Sequence, residues 1–120
     1  MKLVIAVIQP TKLETVRETL EKIEVTRLTI ADAQALGDRP RELDPHGREI
    51  PTGDLLAPTL LRKIALQVVV NDDFLDRTIG MIGQVARTGS EGNAGDGRIF
   101  ILPADETIQI SNGARGPGAV

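Results

Sequence analysis

Lys2-Leu3-Val4-Ile5-Ala6-Val7-Ile8 has one polar side chain, at its start, and reads as a strand that is apolar on both faces. Successive strand side chains point to opposite sides, so Leu3, Ile5 and Val7 line one face and Val4, Ala6 and Ile8 the other. Such a strand must be covered twice. Working outward, Thr11 and Glu14 have capping-box spacing, and Leu13, Val16, Leu20 and Ile23 recur at helical period, which predicts a helix over about 12–23. Val25–Leu36 is rich in β-branched residues and alternates at Leu28 to Ala31, which predicts a second strand. The stretch 37–59 carries Gly37, Pro40, Pro45, Gly47, Pro51, Gly53 and Pro58 without sustained period, so it reads as a long functional loop. Arg62–Val70 is a third strand. Asn71 and Asp72 offer caps for a second amphipathic helix through Phe74, Leu75, Thr78, Ile79, Ile82, Val85 and Ala86 to about Arg87. Arg98–Leu102 is a fourth, buried strand, and a short strand is expected near Thr107–Ile110.

The order strand, helix, strand, long loop, strand, helix, strand predicts an α+β, ferredoxin-like split βαβ sandwich (βαββαβ) in a single domain, 1–120. Both helices then cover one sheet face. The second apolar face needs other cover, and further copies of the same chain are the expected source.

Composition removes several function classes. A net charge of −3 and only two aromatic residues, Phe74 and Phe100, supply neither the basic surface nor the stacking platform of a nucleic-acid binder. No apolar run approaches the ~20 residues of a spanning helix, so no membrane insertion is expected. Gln9 and Pro10 interrupt the opening apolar run before it resembles a secretory signal. Without cysteine there is no disulfide framework, and a cytoplasmic protein is expected.

Thr88-Gly89-Ser90-Glu91-Gly92-Asn93-Ala94-Gly95-Asp96-Gly97-Arg98 places four glycines in eleven residues. Glycine permits positive φ and lets amides converge into a nest for phosphate oxygens, while Arg98 can add a bidentate fork. A helix stop followed by a tight connection explains the same composition. The stretch is not a Walker loop, since no Gly-Lys-Ser/Thr follows. It closes a helix rather than opening one, unlike a dinucleotide fingerprint.

Thr88-Gly89 followed by Gly95-Asp96-Gly97-Arg98-Ile99-Phe100 resembles the nucleotide-binding loop of PII signal-transduction proteins, Thr-Gly-x-x-Gly-Asp-Gly-Lys/Arg-Ile-Phe. Ile8-Gln9-Pro10 with Lys12-Leu13 and Val16-Arg17 resembles that family's Ile-Lys-Pro-x-Lys-Leu-x-x-Val-Arg opening, and Val68-Val69-Val70-Asn71-Asp72-Asp73 its third strand and following helix. The resemblance implies a homotrimer that binds ATP or ADP, with AMP a further candidate, in clefts between subunits. It implies a T-loop, here about 37–59, that engages a partner transporter, enzyme or regulator, with regulation of nitrogen metabolism as the role. By position, Gly89, Gly95, Asp96, Gly97 and Arg98 would hold phosphates in loop 88–98. Thr29, Val69 and Thr88 would line the adenosine pocket, Gln67 would reach the ribose, and Gly37 would form the T-loop base. Lys63 matches a lysine that contacts 2-oxoglutarate.

The sequence departs from that pattern at several of these places. Three extra residues around Asn93 lengthen the loop. Arg39 stands where a glutamine binds magnesium and 2-oxoglutarate, so sensing of that pair is doubtful, although Arg39 could pair with an anion directly. Gln109 and Ser111 replace two phosphate-binding arginines, with Arg115 a candidate substitute from a Gly/Pro-rich, mobile tail over 113–120. Gln67 replaces a carboxylate. With no tyrosine in the chain, uridylylation of a T-loop tyrosine is excluded. His46 is a lone loop histidine, more often solvated than a ligand, since a typical metal site needs three or more ligands. No enzyme is expected: there is no Ser–His–Asp set, the first loop lacks an acylphosphatase-like cradle, and Asp72-Asp73 reads as a helix cap. The alternative is a trimer of the same kind that senses another small anion, such as bicarbonate, or acts as a scaffold.

Overall fold

A computed structural model of the chain describes residues 1–37, 45–46 and 59–120. Its elements are β1 (Lys2–Ile8), α1 (Leu13–Lys22), β2 (Thr29–Gly37), β3 (Thr59–Val70), α2 (Asp72–Ala86) and β4 (Gly97–Pro103). The sheet order is β2-β3-β1-β4, and each neighbouring pair is antiparallel. This is the α+β ferredoxin-like arrangement expected from the order of patterns. Apart from 45–46, the T-loop interior lies outside the described residues, Arg39 included.

The core forms where the two helices meet one sheet face. Val4, Ala6 and Ile8 of β1 and Ile64, Leu66, Val68 and Val70 of β3 pack with Val16 and Leu20 of α1 and Ile82 and Ala86 of α2. Each fully buried Leu or Ile there contributes roughly 1.5–3 kcal/mol relative to exposure. Register assigns the opposite face: Leu3 pairs with Val69 and Leu102, and Ile5 with Gln67 and Phe100. That face carries Phe100 at 48% and Leu102 at 43% exposure, so β1 is covered only once within one chain.

Several local expectations give way to other solutions. The Thr11–Glu14 capping box does not form. A 3-10 turn, Pro10–Lys12, leads into α1 instead, and the Glu14 carboxylate accepts from Arg17 at 2.9 Å. The second strand starts at Thr29 rather than Val25, because α1 needs its own ending first. Glu24 adopts φ 64, the Val25 amide donates to Leu20 O at 2.9 Å, and the Glu24 amide donates to Glu21 O at 3.0 Å. That is a Schellman motif with glutamate in the position glycine usually holds. β3 begins at Thr59, earlier than Arg62. Asn71 precedes α2 without a side-chain cap; its side-chain carboxamide donates to Pro117 O at 3.3 Å.

The strand expected near Thr107–Ile110 is replaced by a tight turn. A single bridge joins Ile108 to Arg115, and Gln109 and Gly113 close it through 2.8 Å bonds to Ala114 O and Gln109 O. Residues 113–120, read as mobile from their glycines and prolines, fold back on the sheet end. Ala119 is buried there, and Arg27 donates to Val120 O at 3.0 Å.

Candidate functional site

The connection from α2 to β4 is organised by a carboxylate. Asp96 accepts from the Thr88 amide at 2.9 Å, the Thr88 hydroxyl at 2.5 Å and the Asn93 amide at 2.8 Å. Asn93 replies through its side-chain oxygen, which accepts from the Gly95 amide at 2.9 Å, so Asn93 and Asp96 form a capping box around the 3-10 turn Ala94–Asp96. The amides of Thr88 and Asn93 therefore converge on an anion, and that anion belongs to the chain. Asp96 Oδ1 takes the Thr88 hydroxyl, and Oδ2 takes the two amides. No cluster of metal-ligating groups occurs among the described residues.

Three donors to one carboxylate hold the Asp96 carboxyl below the usual range, the Thr88 hydroxyl contributing most, then the Thr88 and Asn93 amides. A lowered folded pKa means that the contribution to loop order is complete above the ordinary carboxylate range. It is lost as pH falls through the lowered value of Asp96 itself. Amide exchange at Thr88 and Asn93, corrected for intrinsic rates, is expected to accelerate in that acid window and nowhere above it. In Asp96→Asn the same amides should exchange fast at every pH.

Gly97 then feeds β4 against β1. Its φ is 113, and a Cβ there would sit 1.7 Å from Val7 O, so only glycine permits this approach. Gly89 and Gly92 also adopt positive φ, 65 and 76. At the other side of the loop, Lys63 is 6% exposed, and its ammonium donates to Gly95 O at 2.6 Å. Gln9 donates to the same oxygen at 2.7 Å. No carboxylate among the described residues pairs with Lys63. A buried cation with only a neutral acceptor is costly unless an anion joins it.

A cleft of about 460 Å³ opens beside the loop, with Ile82, Arg87, Asn93, Arg98 and Ile99 among its walls. Asp96 and Gly97 also border it. A second cavity, about 330 Å³, lies at the far end of β3 beside Val69, Arg27, Asn71 and Phe74.

The site residues expected from the sequence thus fall into two groups. Thr88, Gly89, Gly95, Asp96, Gly97, Arg98 and Lys63 gather at the loop end. Thr29 pairs with Gln67 and lies near Val69 at the other end of the open face. Lys63 and Val69 are six residues apart on one strand, roughly 20 Å. Gly37 pairs with Thr59 where β2 and β3 lead into the T-loop. Arg115 is engaged bidentately by Glu106 rather than by the loop. His46 is exposed.

Sequence reasoning missed two contributors. Asn93 was legible from the spacing Asn93-x-x-Asp96, which is a capping pattern. Gln9 was not, since nothing local signals a bond across 86 positions.

The family model described as nitrogen regulatory protein P-II matches residues 1–114. The chain is 39% identical to nitrogen regulatory protein GlnK1 of Methanosarcina mazei, with all of this chain and 97% of that protein covered. It is 32% identical to the nitrogen regulatory proteins P-II of Azospirillum brasilense and of Rhodospirillum rubrum, with full coverage of both partners in each case.

Proposed function

The chain belongs to the nitrogen regulatory protein P-II family, and from that premise we propose that it is a trimeric signal-transduction protein that binds an adenine nucleotide between subunits and controls a partner protein through loop 37–59. The observation that carries the nucleotide part is Lys63. Its buried ammonium has a neutral carbonyl as its partner among the described residues, and it stands beside a glycine loop that ends in exposed Arg98. Phosphate is the anion that such a pair suits, Lys63 as a point charge and Arg98 as a planar fork.

The separation of the two residue groups supports a site shared by two copies. Along β3 of one chain, Val69 stands roughly 20 Å from Lys63 at the loop end. The half-exposed apolar face of Leu102 and Phe100 supplies a surface on which copies can meet. Gln109 and Ser111 in place of two arginines favour a shorter phosphate chain, because each charged hydrogen bond contributes roughly 1.5–3 kcal/mol. Arg39, a cation, does not suit magnesium-bridged 2-oxoglutarate; it is the candidate contact for a direct anionic effector.

Calorimetric titration with ATP, ADP, AMP and 2-oxoglutarate tests this reading. The expected result is micromolar binding of at least one adenine nucleotide without turnover, with ADP or AMP at least as tight as ATP. Failure of all three nucleotides to bind the wild-type protein contradicts it and leaves a trimer that senses another small anion or serves as a scaffold.

A further inference from the structure

Gln9 is placed to govern the loop without belonging to it. It follows Ile8, which pairs with Ile64 on one side and Gly97 on the other, so the continued register sets Gln9 between Lys63 and Asp96. Its carboxamide donates to Gly95 O at 2.7 Å, the acceptor that Lys63 also uses at 2.6 Å. The same residue is held through its other peptide unit, where the Gly95 amide donates to the Asn93 side-chain oxygen at 2.9 Å. Gly95 is therefore the point at which sheet and loop are joined, through one neutral donor and one cationic donor.

The two donors are not equivalent. A carboxamide N–H has no reason to leave a carbonyl for water, since the exchange is close to neutral. An ammonium carries three donors and prefers an anion to a neutral oxygen. When an anion arrives, Lys63 can turn toward it, and Gln9 is then the side-chain donor that remains on Gly95 O.

We propose that Gln9 is a positioning residue of the phosphate site: its carboxamide anchors Gly95 so that the Lys63 ammonium is available to the ligand's phosphate while the loop keeps its shape. This rests on the nucleotide reading above for the identity of the ligand, but the anchoring itself is a property of the unliganded protein. The role requires a donor at this position, whether neutral or charged.

The test compares Gln9→Met, which keeps length and removes the donor, with Gln9→Lys, which restores a donor. Two readouts are used, amide exchange at Gly95 and Asp96 in the free protein and calorimetric affinity for ADP. Gln9→Met is expected to speed exchange at both amides about tenfold and to weaken ADP about fivefold, with the oligomer unchanged. Gln9→Lys should return exchange to within about twofold of wild type. A Gln9→Met protein that matches wild type in loop exchange overturns the anchor. Faster exchange with unchanged ADP affinity overturns the positioning role. If the wild type binds no ADP, the nucleotide reading fails separately, and exchange alone decides whether Gln9 anchors Gly95.

Discussion

Gly97→Ala is expected to lower thermal stability by about 10–20 °C and to eliminate loop 88–98 as an ordered element. The cause is geometric. A methyl group at this position would lie 1.7 Å from Val7 O, closer than carbon and oxygen can approach, and the obstruction is backbone rather than a side chain that could swing away. The φ of 113 adds strain for any residue with a Cβ. β4 must then withdraw from β1 at the Ile8–Gly97 pair, with a total cost of about 3–5 kcal/mol. Gly80→Ala is the control, because nothing lies within 4 Å of a Cβ there. Urea unfolding of both variants checks the contrast. A Gly97→Ala protein as stable as Gly80→Ala would mean that β4 does not sit against β1 in this register.

Phe100→Asp is expected to abolish assembly while leaving the chain folded. Phe100 is already 48% exposed in one chain, so a carboxylate there stays hydrated in the monomer. Between copies the same change removes roughly 2 kcal/mol of apolar burial per chain. It also demands desolvation of an unpaired charge, which costs several kcal/mol more. Repeated in every subunit, this should weaken association at least ~100-fold. Sedimentation equilibrium should then show a monomer with a native far-UV spectrum. An oligomer that persists would exclude the open sheet face as the contact between copies.

Most of the fold was legible because it rests on period and polarity. The apolar pattern of Lys2–Ile8 announced both a helix-covered face and a second, uncovered one, and the register with β3 and β4 agrees. What sequence missed depends on contacts between distant residues. The Schellman ending of α1 uses Glu24 at φ 64, where no glycine marks the turn, so the second strand seemed to begin four residues early. Thr11 and Glu14 had the spacing of a cap, but Pro10 set a 3-10 entry and Arg17 took the carboxylate.

At the site, the glycines of Thr88–Arg98 were readable as a loop with special backbone demands. Gly97 meets the strongest of them. The role of Asp96 was not readable as geometry, since a carboxylate in a phosphate-loop motif does not declare that it satisfies the loop's own amides. Charge bookkeeping was informative in another way. Lys63 could have been a solvated strand flank by sequence, and its 6% exposure beside Gly95 makes it a buried cation.

The central claim is that one nucleotide site draws on two copies, the phosphate loop from one and the Thr29–Gln67–Val69 group from the next. Mixing two defective chains measures it directly: Arg98→Ala, which disables the loop half, and Val69→Phe, which fills the adenosine half. Each variant alone should bind the preferred adenine nucleotide at least tenfold more weakly than wild type while remaining an oligomer. After unfolding and refolding together in equal amounts, about one site in four should pair two intact halves and recover wild-type affinity. Recovery at that level is the predicted result. A mixture that binds no better than its two components would place the whole site within one chain and contradict the account.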